Sequence, residues 1–180
     1  WEEGHKVALK VSFLPEFDDM MHTKQNNPHH CYNVGLHTIE SMKAVRADKV
    51  LRLTMLLHDV AKPACRTTDE EGVDHFYGHP DIGQEMARNI LHRLKFDNDT
   101  IKIIKSLDEL VMLQAPENKA QIQKLLYKYG TEAIILYLHY LNVIKPVAYN
   151  HLLSMQNEII DNCEPYLISQ LAIDGNDLLS

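Results

Sequence analysis

No two cysteines in this sequence stand at C-x-x-C spacing. Cys31, Cys65 and Cys163 are odd in number and far apart, which excludes a disulfide framework and fits a reducing, cytoplasmic setting. Long apolar runs are also missing: "AIILYLHYL", residues 133–141, falls well short of the roughly 20 residues that span a bilayer. The N-terminus lacks the basic start and apolar middle of a signal peptide, so a soluble protein with no membrane partner is expected. Glycine and proline are scarce, seven each, which excludes collagen-like and low-complexity chains. Positive charge is in short supply, with 18 Lys and Arg against 25 Asp and Glu and a net charge of -7. That balance excludes general affinity for a nucleic-acid backbone. Arg88, Arg93, Lys95, Lys102 and Lys105 lie close together in sequence and read as a solvated helix face.

What remains is an ordinary globular composition, 45% apolar and 24% charged over 180 residues. That is enough for one domain, residues 1–180, that buries roughly 70% of its unfolded surface. Leu36, Ile39, Met42 and Val45 recur every three positions and predict a helix from 35 to about 47. "KVLRLTMLLHDVA" is apolar nearly all round and predicts a buried central helix, ending near Ala61 because Pro63 disfavours helical geometry at Lys62. "CRTTDEEGVDHFYGH" has the chemistry of an irregular loop or short hairpin. Pro80 opens the next helix, and further helices are expected at about 99–113, 119–129, 131–143 and 149–162, with breaks at Gly130 and Pro146. No stretch alternates with a period of two between turn residues, so the class is all-α. The methionines read as core filler, and Tyr127, Tyr129, Tyr137 and Tyr140 as packing residues.

The chemistry concentrates in "LLHDVAKP", residues 56–63. Adjacent helical residues diverge by about 100°, yet at a helix end His58 and Asp59 can flank one cation, where the carbonyl end of the dipole favours positive charge. His37, on the preceding predicted helix, is the best third ligand, because the connection at Asp48 is short. His79 starts the following helix and reaches toward the same region. Imidazole plus carboxylate suits Zn, Mn, Fe or Ni rather than Ca, and such an ion activates water. Lys62, three residues after Asp59, is placed to neutralise a phosphate oxygen. The same spacing also fits a histidine capping a helix end and a plain Asp59–Lys62 ion pair. His29, His30 and Cys31 are adjacent on one loop, poor geometry for a tetrahedral ion.

The order His37, then His58-Asp59, resembles the HD superfamily of metal-dependent phosphohydrolases. "QNNPHHCYNVGLHTIESM", "LTMLLHDVAKP", "HFYGHPDIGQEMARNILHRLKFDN", "IQKLLYKYGTEA" and "LAIDGNDLL" together resemble the HD domain of bacterial CCA-adding tRNA nucleotidyltransferases. The resemblance implies a helical HD bundle with a core of about 25–163 and a family-like segment at 164–180. It further implies His37, His58 and Asp59 as ligands of a divalent ion (Mn, Ni, Zn, Fe or Mg), Asp59 and Lys62 as catalytic, and His79 as a phosphate or supporting contact. The implied activity is hydrolysis of nucleotide or RNA-end phosphate esters, 2',3'-cyclic phosphates included, with tRNA met through a larger protein. No glycine-serine turn followed by a D-x-D pair occurs here, so no nucleotide polymerisation is expected from this chain. The chain departs from the family where later carboxylates are usual: those places hold Val111-Met112 and Leu141-Asn142-Val143. Asp108, one turn away, and Asn142 are the nearest substitutes. With Asp59 the one anionic ligand, metal binding is expected to fall as the histidines protonate below about pH 6.5. The alternative is a metal-free helical module of a tRNA-processing protein; the sequence specifies no oligomeric state.

Overall fold

The computed structural model describes residues 13–26, 32–162 and 164–167. His29, His30, Cys31, Cys163 and the "LAIDGNDLL" block lie outside them. The chain divides into two compact units, residues 1–108 and 109–180. In chain order the first unit holds α1 (Pro15–His22), α2 (Val34–Ala44), α3 (Lys49–Leu57), α4 (Lys62–Cys65), the strands β1 (Thr67–Thr68) and β2 (Asp74–His75), and α5 (His79–Arg93). Next come α6 (Asn98–Met112), α7 (Lys119–Ile144) and α8 (Pro146–Asp161). Helices dominate and the sheet is a two-stranded hairpin, Thr67 opposite His75 and Thr68 opposite Asp74. The all-α expectation therefore stands, and so does the short hairpin.

Local chemistry explains where the helices of the first unit begin. Asn33 caps α2 by accepting from the Leu36 N–H, while its side-chain amide donates to the Met21 carbonyl at the end of α1. Asp48 caps α3 by accepting from the Val50 and Leu51 N–H groups. Gly35 sits where α2 crosses α1: an added Cβ there would lie 2.8 Å from Met21 Cα, closer than two carbons approach, so only glycine lets these helices touch. The core joins Leu14, Met20, Val34, Leu57, Val60, Ala87, Ile90, Leu91, Ile101 and Ile104.

Two boundaries differ from expectation. The central helix ends at Leu57, not near Ala61, so His58 and Asp59 are not in its last turn. After His58 N–H bonds Thr54 O, the ladder shortens to Val60 N–H on Leu57 O and Lys62 N–H on Asp59 O, the tighter i→i−3 pattern of helix ends. Proline at 63 does not end a helix; it stands in the first turn of α4, where its missing N–H costs nothing. Pro146 opens α8 two residues after α7 ends at Ile144, so the break expected there is present.

In the second unit α7 packs against α8 and is interrupted at Gly130 (φ 80°, ψ 164°), as the sequence suggested. Tyr137 is buried and faces Tyr140, ring centroids 6.3 Å apart. Burial pushes the Tyr137 hydroxyl up to about 12, which agrees with a packing role.

Candidate metal centre

The tight turn after α3 is held by its apolar neighbours. Leu57 and Val60 are both buried in the core, each worth about 1.5–3 kcal/mol, and they bracket His58 and Asp59. The Asp59 side chain is only 4% exposed, and three imidazoles surround it. His58 Nε2 is 3.3 Å from Oδ2, His37 Nε2 is 3.7 Å from Oδ2, and His79 Nε2 is 3.6 Å from Oδ1. His37, His58 and Asp59 each offer a ligand atom within 4.8 Å of the others. The His37 and His58 rings are tilted by 57° rather than stacked.

The hydrogen-bond partners define which ring nitrogens face inward. His58 Nδ1 lies 2.8 Å from Met55 O and His79 Nδ1 lies 2.7 Å from Phe76 O. A carbonyl only accepts, so each Nδ1 carries the proton, and in the neutral ring the Nε2 lone pair faces Asp59. Lone pairs directed at a carboxylate repel unless a proton or a cation lies between. Burial alone would push the His58 pKa down; the Asp59 charge beside it, with the Met55 carbonyl, outweighs it and raises it. Burial pushes the Asp59 carboxyl up, but the charges of His58 and Lys62 beside it prevail and hold it well below the usual carboxylate range.

Lys62 is the second cation of the cluster. Its Nζ stands 2.7 Å from Asp59 Oδ2, donates to Gln25 Oε1 at 3.0 Å and lies 5.4 Å from the Phe76 ring centroid. The Asp59 contact is an ion pair without hydrogen-bond alignment, and the buried Oδ2 receives no directed hydrogen bond. A buried carboxylate oxygen so placed, beside two imidazole nitrogens, suits a divalent ion. Tetrahedral ligands bonded at about 2.1 Å stand about 3.4 Å apart, and the 3.3 and 3.7 Å separations bracket that value.

The remaining expected residues fall elsewhere. Asp108 is buried at the end of the first unit and lines a cavity of about 200 Å³ with Thr54, Leu57 and Lys105. Asn142 is exposed on α7 of the second unit. Val111 and Met112 lie at the end of α6. Arg88 and Arg93 are exposed and paired, with Glu85 and Glu16, as a solvated face requires. Two contributors were missed. Gln25 precedes Lys62 by 37 positions, and no periodicity links them. Phe76 lies in the loop before His79, where an aromatic residue carries no spacing signal.

The hairpin ties these parts together. Asp74 accepts from the Asn26 N–H and the Thr68 hydroxyl and pairs with Arg66 at 3.0 Å, which pins the segment that carries Gln25. The Arg66 hydrogen bond leads the causes, against burial, that lower the Asp74 carboxyl to about 2.

Similarity to known proteins agrees with this arrangement. A family model described as HD domain matches residues 29–144. The A-adding tRNA nucleotidyltransferase of Deinococcus radiodurans is 32% identical over 120 residues, covering 64% of this chain and 28% of that protein. The CC-adding tRNA nucleotidyltransferase of Thermus thermophilus is 30% identical over 125 residues, covering 66% of this chain and 29% of that protein. The chain thus matches less than a third of the length of either relative. No solved structure gives a significant match. Among the described residues no helix is long and apolar enough to cross a membrane.

Proposed function

This chain belongs to the HD domain family, and we propose that its first unit is a metal-dependent phosphohydrolase or phosphodiesterase acting on nucleotide or RNA-end phosphate esters. The observation that carries the reading is the convergence of His37, His58 and Asp59 within 4.8 Å, with the buried Asp59 Oδ2 open to a cation. The names of the relatives, an A-adding and a CC-adding tRNA nucleotidyltransferase, support an RNA or nucleotide substrate.

In this reading His37 and His58, through Nε2, and Asp59, through Oδ2, hold a divalent ion. The ion, when bound, withdraws charge from a phosphoryl oxygen and makes water more acidic. The chain's own residues do the rest. Met55 O and Phe76 O keep His58 and His79 in the tautomer whose Nε2 accepts. Lys62 has three N–H donors; Gln25 engages one, Asp59 balances the charge as an ion pair, and a remaining N–H stabilises charge that develops on phosphate. His79, 20% exposed, stands beside Asp59 where it can accept or return a proton.

The test compares hydrolysis of a generic phosphodiester by purified protein with Mn or Ni against the Asp59→Ala variant. The wild type is expected to show a metal-dependent rate that the variant loses; equal rates overturn the reading. A metal-free helical module is the second reading, favoured by Lys62, which already neutralises Asp59 at 2.7 Å. Metal analysis after soaking with Mn, Zn and Ni separates the two: a stoichiometric ion supports the enzyme, and none supports the module.

A further inference from the structure

Between β2 and α5 the chain turns sharply, and one residue of that turn is left out of every contact with the core. The His79 N–H bonds Phe76 O at 3.3 Å, closing a four-residue turn with Tyr77 and Gly78 at its corners. Gly78 has φ 74° and ψ 2°, the values that the third position of a type II turn requires and that favour glycine. Both ends of this turn belong to the metal centre: Phe76 lies over Lys62, and His79 Nε2 is 3.6 Å from Asp59. Tyr77, at the outer corner, is 76% exposed. An added Cβ at Gly78 would meet nothing within 4 Å beyond its own chain neighbours, so this corner of the turn is open.

An aromatic ring at such a corner ordinarily swings through several rotamers. Tyr77 is held instead. Its ring stacks on His75 with centroids 5.3 Å apart and planes 8° from parallel, and its hydroxyl lies 3.3 Å from His75 Nδ1. His75 Nε2 is in turn 2.7 Å from Asp69 Oδ2. Asp69 is fixed by accepting from the Glu71 and Val73 N–H groups through Oδ1. The chain Asp69–His75–Tyr77 thus orients one ring face toward the protein and leaves the other to solvent. This arrangement buries little apolar area, so folding stability gives it small reward. A rigid, solvent-facing ring is what a flat π-surface stacks on at low entropic cost.

We propose that Tyr77, held by His75 and Asp69, is the platform on which the nucleobase of the substrate stacks while its phosphate lies at the metal centre. The inference rests on the hydrolytic reading for the phosphate, but the stacking itself does not require turnover. It assigns the substrate class as nucleotides rather than simple phosphate esters, with the base chosen for its π-face rather than its hydrogen-bonding edge.

Two measurements test this. The first is binding of adenosine 5'-monophosphate to the full chain without added metal, by titration calorimetry, for the wild type, Tyr77→Ala and Tyr77→Phe. Tyr77→Ala should weaken binding about tenfold, toward the low end of the range for loss of one stacked base, and Tyr77→Phe should retain it. The second compares KM and kcat, with Mn, for a dinucleotide and for the same diester with both bases removed. Tyr77→Ala should raise KM about tenfold for the dinucleotide alone, with kcat unchanged. If no variant hydrolyses either diester while nucleotide binding depends on Tyr77, the hydrolytic reading fails and the platform stands. No nucleotide binding by the wild type, or equal binding by Tyr77→Ala, overturns the platform, as does an equal KM change for both diesters.

Discussion

Replacing Lys62 by methionine tests, more sharply than any other single change, whether Asp59 can take a divalent ion in place of the ammonium. The Lys62 side chain is 9% exposed and its Nζ is 2.7 Å from Asp59 Oδ2, so Lys62→Met removes the counter-ion of a buried carboxylate and leaves Gln25 Oε1 without its donor. Breaking a buried pair from one side costs about 3–5 kcal/mol. At about 2–4 °C per kcal/mol for a chain of this size, the melting temperature in chelator should drop by about 6–20 °C. Adding Mn should then have opposite importance in the two proteins. In the wild type the ion must enter beside an ammonium, and like charges about 4 Å apart at an effective dielectric of about 20 repel by about 4 kcal/mol per unit charge. In Lys62→Met that repulsion is gone and the carboxylate lacks a partner. The variant should therefore bind Mn more tightly, regain at least half of its lost melting temperature at saturation, and yet hydrolyse phosphodiesters more slowly. Differential scanning fluorimetry across a Mn titration reads this directly. A variant that melts like the wild type in chelator, or a Mn shift no larger than that of the wild type, would refute the reasoning.

Three further expectations concern the scaffold. Asp74 has its pKa depressed to about 2 from an ordinary 3.8, so its ionised form stabilises the fold above the ordinary value, and that contribution is lost as pH falls through the window between them. Asp74→Asn should flatten acid destabilisation in that window, measured by urea unfolding; identical pH profiles would count against the Arg66–Asp74–Asn26 link. Gly35→Ala places a methyl against Met21 and should destabilise the first unit by about 1–3 kcal/mol, with weaker metal binding because His37 follows two residues later; unchanged stability would mean the helices separate freely. Gly130→Ala meets no neighbour but forces a side chain into φ 80°, ψ 164°, costing about 1–3 kcal/mol of backbone strain. Calorimetry should show that loss, with Mn binding at the first unit unaltered.

The parts of this protein that were legible in its sequence are those written in local periodicity. The helical spacing of α2, the opening of α5 at Pro80 and the break at Gly130 follow from residues within a turn or two of each other. The misread elements are also instructive. Pro63 implies a stop before Lys62, yet proline fits the first turn of a helix as well as the region beyond its end, and only the incoming chain direction decides between them. His58 and Asp59 were rightly expected to share one location, but through a helix end at Ala61. The tightened turn after Leu57, locked by burial of Leu57 and Val60, is what lets adjacent residues converge.

By itself the sequence determined a helical chain, the placing of His58-Asp59 near the end of a buried helix, and the helices that carry His37 and His79, because period and capping act over a few residues. Tertiary structure alone decided that Gln25 holds Lys62 against Asp59, that Phe76 covers the ammonium, and that Tyr77 stands rigid on His75 and Asp69. These contacts join segments that no repeat connects, and each arises where a core packed elsewhere brings two backbones within reach of a side chain.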